Sequence, residues 1–202
     1  MYISNTSILL EKIQVVNSML LSIGSSKVDD LDTDHPDVEI ALRILEEEHR
    51  RCQYTQWWFN TDYDIELKPN DREEIVISNN IINILPENKN YIVRGNKLYD
   101  RYNQTYKIKS NVRIRTLNTF IEWEDCPFEL LDYIQYKAQI EFITQLTADY
   151  NKVDRIQQLM AGALVRLKAK NIAEHQYQSI DNDHYKDIAY RTRPYNNGYR
   201  GY

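Results

Sequence analysis

The spacing of His49 and Cys52 is the first feature that could support chemistry. The two residues stand three positions apart, which places both side chains on one face of a helix and would offer two ligands to a metal ion. No third or fourth ligand follows at a suitable spacing, and the HExxH motif does not occur. We therefore interpret His49 as a helix-surface residue and Cys52 as half-buried, and the sequence predicts no metal site and no cofactor.

Cys126 could act as a nucleophile with a distant histidine. It directly precedes Pro127, which is expected to lie at the start of a helix, and packing at that helix start is the role that this position favours. We therefore predict no nucleophilic cysteine.

Acidic residues cluster at several places that could serve acid–base chemistry. A glycosidase needs two carboxyl groups roughly 5–10 Å apart in a cleft. Glu122 with Glu124 or Asp125 could supply such a pair, and the other clusters are Glu73-Glu74 and Glu46–Glu48. Glu46–Glu48 would lie on a solvated helix face. Glu122, Glu124 and Asp125 would come just before a helix, whose start favours negative charge. The chain has no glycine-rich phosphate loop and no GxSxG motif, so the residues predict no enzyme, with a carboxylate-dependent cell-wall hydrolase as the alternative.

Composition narrows the class of protein further. The chain has 202 residues and a net charge of −5, which suits one large domain or two small ones. An acidic total argues against tight, wrap-around binding of nucleic acid, because that needs a basic footprint. No stretch approaches the ~18 apolar residues of a membrane span, and positions 1–10 show no signal peptide. The two cysteines cannot form a disulfide framework, which is typical of a reducing compartment.

Helical periodicity occupies both ends of the chain. Apolar residues recur at three- and four-residue steps from Leu9 to Ile23, and Gly24 is a natural stop. A second helix is expected from Pro36 to about Tyr54. A third should begin after Pro127, with Asp125 as a plausible N-cap, and a fourth should run from about Val153 to Ala173. We predict that these four helices pack as an antiparallel bundle made of residues 1–55 and 126–178.

Residues 56–125 contain short runs rich in β-branched and aromatic residues, separated by turn formers. The predicted strands are Ile65–Leu67, Ile75–Ile77, Ile81–Leu85, Tyr91–Val93, Lys97–Tyr99, Tyr106–Ile108 and Val112–Leu117. Gly95-Asn96 predicts a tight hairpin. The expected fold class is therefore α+β, with a small antiparallel β-meander inserted into the helical bundle.

The chain ends in an unusual segment, residues 179–202, where tyrosine alternates with arginine. The protein has 16 Tyr against 4 Phe, and the apolar periodicity fades here. Tyr and Arg are enriched at interface hot spots, so we predict an extended C-terminal arm that binds a partner, with simple disorder as the alternative. The candidate residues of the arm are Tyr190, Arg191, Arg193, Tyr195, Tyr199 and Arg200.

Several short motifs follow one another between Ile13 and Phe142. They are Val15-Val16-Asn17-Ser18-Met19-Leu20-Leu21-Ser22-Ile23-Gly24, Ala41-Leu42-Arg43-Ile44-Leu45, Trp57-Trp58-Phe59-Asn60, Leu67-x-Pro69-Asn70, Val93-Arg94-Gly95-Asn96-Lys97-Leu98-Tyr99-Asp100-Arg101, and Trp123…Cys126-Pro127 before Tyr133-Ile134…Lys137-Ala138. This ordered set resembles the tail tubular protein A family, the head-to-tail adaptor (gatekeeper) proteins of short-tailed phages. The chain departs from the family at Gln56, where the family has glycine before the tryptophan, and the segment after Ser179 matches nothing in the family.

The resemblance implies a structural virion protein, assembled in the host cytoplasm and located at the head–tail junction. It implies a homo-oligomeric ring, a dodecamer, that binds the portal protein above and the tail nozzle below. Genomic DNA would pass through the lumen without specific binding, and an acidic chain suits such a conduit because it repels phosphate. A ring requires two different complementary faces on each subunit. We expect ring contacts from the helices, nozzle contacts from the β insertion and portal contacts from the arm.

Overall fold

A computed structural model describes residues 10–180 of the chain, with side chains through His175. Within that range the helices are α1 (Lys12–Ser22), α2 (Pro36–Cys52), α3 (Phe128–Leu146) and α4 (Tyr150–Ile180). The strands are β1 (Thr61–Leu67), β2 (Ile81–Pro86), β3 (Tyr91–Arg94), β4 (Lys97–Asp100) and β5 (Val112–Thr119). The α+β class is therefore confirmed. Positions 1–9 and 181–202 lie outside the described residues, and all six candidate residues of the C-terminal arm are among them.

The start of α2 follows from its capping chemistry. His35 is the N-cap, and its Nδ1 accepts a hydrogen bond from the backbone N–H of Asp37 at 3.2 Å. Pro36 occupies the first turn, where its missing N–H costs nothing, and acidic side chains at Asp37 and Glu39 complement the helix dipole. The helix ends at Cys52, two residues before the predicted end.

Two helix boundaries differ from the prediction. The N-cap of α3 is Pro127 and not Asp125, because Asp125 belongs to a 3-10 turn over Trp123–Asp125 that precedes the helix. α4 is longer than predicted and includes Ser179 and Ile180, which were assigned to the arm. No glycine or proline follows Gly162 within α4, so nothing in the sequence ends it earlier.

α3 is the central helix and packs against each of the other three. Its buried side chains are Leu130, Leu131, Asp132, Ile134, Ala138, Phe142 and Ile143. Three polar pairs tie it to α1, α2 and α4, respectively: Gln139 to Ser18 at 2.6 Å, Lys137 to Glu48 at 2.7 Å, and Arg166 to Asp132 at 2.6 Å. Each pair has at least one partly buried member, so each helps to set the register of a helix against α3.

The predicted meander is wrong in its strand order. In a meander consecutive strands are neighbours, but here β5 lies between β1 and β2 in an antiparallel three-stranded sheet. Only β3 and β4 pair as consecutive strands, and they form a separate two-stranded sheet. β5 is half-buried: Val112, Ile114 and Leu117 are buried, while Arg113 and Arg115 stay exposed on the other face.

The two predicted strands at Ile75–Ile77 and Tyr106–Ile108 are not strands. The first forms an isolated bridge from Val76 to Lys97, with Leu98 N–H donating to the Ile75 carbonyl. Ile75, Ile77 and Ile108 are nevertheless buried, so the pattern indicated burial correctly without a regular ladder. The Gly95-Asn96 hairpin is confirmed: Arg94 pairs with Lys97, and Gly95 has the positive φ of +61° that a tight two-residue loop requires at its first position.

Buried apolar side chains form two separate clusters. The first lies among the helices and includes Trp57 and Trp123 from the segments that lead into and out of the β region. The second lies in the β region: Ile75, Ile77, Leu98, Ile108, Val112, Ile114 and Leu117. The division into domains at positions 55/56 and 125/126 remains a prediction.

The contrast between Gly162 and Gly24 provides a test of the helix assignments. Gly162 lies inside α4, and a Cβ there would meet only the Arg166 side chain, at an ordinary contact distance of 3.5 Å. We expect Gly162→Ala to raise the free energy of unfolding by about 1 kcal/mol, measured by urea unfolding monitored by circular dichroism.

Gly24 follows α1 with a φ of +83°, and Ser25 N–H donates to the Leu20 carbonyl in a helix-terminating motif. Gly24→Ala should therefore lower the stability by about 1 kcal/mol, and a gain there would contradict the assignment.

Candidate functional site

The side-chain amide of Gln53 joins the two ends of the β region. Gln53 follows α2 and is fully buried. Its Oε1 accepts from the Ile121 N–H at 2.8 Å, and its Nε2 donates to the Ile121 carbonyl at 2.8 Å. Residues 54–120 lie between these two positions, so one side chain closes the whole insertion at its base. We call Gln53, Ile121 and the residues that contact them the neck.

His49 belongs to the neck and is not on the helix surface, so that prediction was wrong. Its side chain is buried, and its ring lies 5.0 Å from the Phe120 ring and 5.4 Å from the Trp123 ring, measured between centroids. The His49 Nε2 lies 2.7 Å from Gln53 Nε2. Because the Gln53 amide nitrogen can only donate, Nε2 of His49 is the acceptor, and the ring is neutral in this arrangement.

The pKa of His49 is lowered from 6.5 to about 4, chiefly because burial disfavours the charged ring. The positive charges of Lys12 on α1 and Arg50 on α2 add to the lowering, while Glu124 and the backbone of Ile121 oppose it. A neutral, buried imidazole could in principle serve as a base. His49 is not among the residues that line the four most prominent clefts of the described chain.

The two cysteines are buried thiols. Burial raises the pKa of Cys52 to about 11, and the pKa of Cys126 to about 12, where the charges of Asp125, Glu124 and Glu122 add to the effect. Cys126 Sγ lies 3.4 Å from His49 Nε2, so a cysteine–histidine pair does exist. A nucleophilic cysteine needs a lowered pKa and access to a substrate, and Cys126 has neither. Its packing role at the start of α3 is therefore confirmed.

The remaining sequence candidates do not assemble into a site. No group of three or more His, Cys, Asp or Glu side chains within residues 10–180 could hold a metal ion. Glu122, Glu124 and Asp125 are all exposed beside the 3-10 turn, and none of them lines a described cleft. The hydrolase alternative therefore gains no support.

Two other acidic clusters make structural contacts. Glu74 pairs with Lys97 at 2.7 Å, which links the approach to β2 with β4. Glu48 is not on a solvated face as predicted: it is buried, and it pairs with Arg51 at 2.6 Å and with Lys137 of α3 at 2.7 Å. Removing either cation would leave a buried carboxylate less compensated, so this cluster stabilises the α2–α3 packing.

Asn60 forms a second set of hydrogen bonds in the neck. Its Oδ1 accepts from Trp57 N–H at 2.9 Å, and its Nδ2 donates to the Gln53 carbonyl at 3.0 Å. The Asn60 carbonyl accepts from Thr119 N–H, so the start of β1 and the end of β5 are joined at the same point. The Trp57-Trp58-Phe59-Asn60 motif is therefore a structural element of the neck, and Trp58 N–H extends it to α4 by donating to Asn171.

Neither the place of Gln53 in the neck nor the burial of Glu48 was predicted from the sequence. Glu48 follows the inward-facing Ile44 by four residues and precedes Cys52 by four, so helical spacing alone could have placed it inside. Gln53 carries no comparable signal, because a glutamine after a helix is normally exposed.

The polar contacts described so far stabilise the fold of the protein. Its buried polar groups bind one another across the neck and around α3, and the candidate catalytic residues of the described chain do not converge on a cleft. None of the helices in this part of the chain is long and apolar enough to cross a membrane.

Comparison with known proteins identifies the family. Residues 13–177 match the family model described as Tail tubular protein, so the chain belongs to the tail tubular protein family. It is 24% identical over 169 residues to Tail tubular protein A of Klebsiella phage KP34, an alignment that covers 82% of this chain and 87% of that protein. The resemblance noted in the sequence is therefore confirmed, and the protein is a structural component of a phage tail, located in the virion.

The lowered pKa of His49 makes the stability dependent on pH. The folded pKa of about 4 lies below the unfolded value of 6.5, so the unfolded state binds more protons between these values. The stability that depends on a neutral His49 ring is therefore fully present above about pH 6.5 and is lost as the pH falls toward 4. Between pH 7 and pH 4.5 we expect a loss of about 2 kcal/mol in unfolding free energy that His49→Gln does not show. Urea unfolding at both pH values measures it.

His35→Asn is the matched control for this measurement. It replaces a second histidine, the N-cap of α2, with a residue that can still cap the helix, so a pH dependence reduced mainly in His49→Gln assigns the effect to His49. Equal pH dependence in the wild type and in His49→Gln would contradict the assignment of a neutral buried ring.

Burial of both thiols predicts low reactivity in the folded protein. At pH 8, Cys52 and Cys126 should react with an aromatic disulfide reagent at least ~100-fold more slowly than an exposed thiol, since local opening must come first. Val165→Cys provides that exposed thiol on α4. Release of the coloured thiolate is the measurement, and both native cysteines should react rapidly in guanidinium. Rapid labelling of Cys126 in the folded wild type would restore it as a candidate nucleophile.

Proposed function

We propose that the protein is the ring-forming head-to-tail adaptor of its virion, which links the portal to the tail nozzle and lines part of the DNA ejection channel. The observation that carries the proposal is the extent of the family match, residues 13–177, which covers the β region completely and the four helices except for the first residue of α1 and the last three of α4. A match restricted to the helices would support no more than a shared helical scaffold.

The helical part offers one face for ring contacts. Ala163 and Leu167 of α4 are buried, whereas Val165 and Ile172 are 67% and 58% exposed. Val165 and Ile172 are seven residues apart, or two helical turns, so they share a face that points away from α3. A subunit in a ring must cover one of its faces with a different face of its neighbour, and this exposed side of α4 suits such a contact. The dodecameric copy number follows from the resemblance.

The β region and the arm are the proposed contacts with other proteins. The β region projects from the neck, and we assign it to the nozzle. The arm, with Tyr190, Arg191, Arg193, Tyr195, Tyr199 and Arg200, is assigned to the portal. Tyrosine and arginine in such an arm would act as anchors, each contributing ~2 kcal/mol or more when buried at the interface.

The charge of the chain fits a channel that DNA passes through. At a net charge of −5, a lumen lined by this protein would repel phosphate, and the duplex would slide instead of adhering. The proposed location is the head–tail junction, with assembly in the host cytoplasm. A strongly basic lumen in a reconstruction of the ring would contradict this part of the proposal.

Electron microscopy of the purified protein mixed with its portal tests the adaptor and the arm together. The full chain should form a ring docked coaxially on the portal. Deletion of residues 181–202 leaves every described helix and strand intact, so it should preserve the circular dichroism spectrum and abolish docking. Changing the six arm residues to serine (for Tyr) and glutamine (for Arg) should have the same effect.

A control variant with Asn182, Asn196 and Asn197 changed to serine alters the same segment and should dock normally. Docking of the truncated chain would contradict the assignment of the arm. Failure of the full chain to form any ring with its portal would contradict the adaptor function itself.

A further inference from the structure

The outer edges of β2 and β3 form no ladder with another strand in the described chain. β2 is the outer strand of the three-stranded sheet, and β3 is the outer strand of the hairpin, since β4 is bridged on its other side to Val76. Only residues 87–90 separate β2 from β3, yet the two strands belong to different sheets. Each therefore has a row of backbone N–H and C=O groups available to a further strand.

A groove of about 570 Å³ runs between these strands. Its lining is mostly apolar and includes Ile82, Ile84 and Leu85 of β2 and Ile92 and Val93 of β3. Leu85 is 49% exposed and Val93 is 40% exposed. We call this the β2–β3 groove.

The β2–β3 groove has only part of the usual protection of a free edge: the register of β2 against β5 shifts between Ile81 and Asn83 and between Leu85 and Pro86, but β2 carries no charge. Natural edge strands carry charges, prolines or bulges that prevent pairing with other chains. β2 reads Ile-Ile-Asn-Ile-Leu-Pro, so its proline comes only at the last position and it has no charged residue. An apolar edge of this kind favours association unless a strand covers it, which indicates that the working assembly supplies one.

The charges around the groove indicate the chemistry of that strand. Lys89 and Arg101 are the only charged residues in the lining, and neither forms an ion pair within residues 10–175. Both are exposed cations on a chain whose net charge is −5. Two unpaired cations beside an apolar groove complement a carboxylate on an incoming apolar segment.

We propose that the β2–β3 groove binds an extended segment of another virion protein, with apolar side chains at alternate positions and a flanking Asp or Glu. The segment adds to the edge of β2, so backbone hydrogen bonds hold it and the groove accepts every second side chain. Lys89 and Arg101 bind the flanking carboxylate. The choice of a virion protein as partner depends on the proposed function, but the groove and its charges do not.

Photo-crosslinking in assembled particles tests this proposal. Phage lacking the gene would be complemented with the full chain carrying benzoylphenylalanine at Leu85 or at Val93, both of which are exposed and should tolerate it. Tyr63 is the control position, because it is 47% exposed on β1, which lies on the opposite side of β5 from β2, and it does not line the groove. Crosslinked peptides from purified particles are identified by mass spectrometry.

Leu85 and Val93 should crosslink to the same segment of one other virion protein, and Tyr63 should not reach that segment. The segment should alternate apolar residues and carry a flanking acid. Crosslinks from both positions to a second copy of this chain would overturn the proposal and make the groove a subunit contact. Absence of crosslinks in particles that contain the protein would overturn it as well.

Charge reversal tests the role of the two cations. The double variant Lys89→Glu and Arg101→Glu should lower the crosslinking yield from Leu85 about tenfold, and reversing the partner's acid to lysine should restore it. The control, Lys107→Glu with Lys109→Glu, changes two exposed cations of the same region outside the groove and should leave the yield unchanged. An unchanged yield in the double variant Lys89→Glu and Arg101→Glu would contradict the proposal that these cations bind an acidic residue of the partner.

The same particles separate this proposal from the adaptor function. If the protein lies at the head–tail junction but its groove does not crosslink, only the groove proposal fails. If the protein lies elsewhere in the tail and the groove still captures one extended acidic segment, the adaptor proposal fails and the groove proposal stands.

Discussion

The pair of hydrogen bonds between the Gln53 side chain and the Ile121 backbone is the constraint on which the arrangement of the molecule depends. It brings together two positions that are 68 residues apart in the chain, which otherwise costs conformational entropy that grows with loop length. Because Gln53 also accepts at its carbonyl from Asn60, the end of α2, the start of β1 and the end of β5 meet at one residue. The direction in which the β region leaves the helices follows from that junction.

The neck is polar at a place where an apolar contact would be simpler to bury. A buried amide without partners costs about 1–3 kcal/mol, so the pairing of Gln53 with Ile121 and with a neutral His49 is as much a requirement as a gain. Its advantage is directional. An apolar contact would allow the β region several orientations of similar energy, whereas two opposed hydrogen bonds to one peptide group allow one. A protein that must present separate surfaces to separate partners benefits from that restriction.

The features that could be predicted from sequence are those that depend on neighbours in the chain. The helices follow from apolar residues at three- and four-residue steps, and the β3–β4 hairpin follows from Gly95-Asn96. The order β1-β5-β2 depends on pairs that are far apart in the chain, from Pro86 with Ile114 to Thr61 with Asn118, for which a single sequence contains no direct signal. His49 and Glu48 were misplaced for a related reason: polarity suggested exposure, but α2 is packed by both α3 and the segment after β5, so its buried face is wider than one stripe.

Functional residues are harder to predict here than in an enzyme, because an enzyme gathers its reactive groups into one cleft whereas an assembly protein distributes its contacts over its surface. What remains visible in the single chain is apolar area that its own fold does not cover. Val165 and Ile172 show such area on α4, and Ile82 to Leu85 show it along the edge of β2. The two surfaces differ in shape, one a helix face and the other a strand edge, so each suits a different neighbour. A ring held between two other components would need such unlike contacts, in which one face of a subunit meets a different face of the next subunit or another protein.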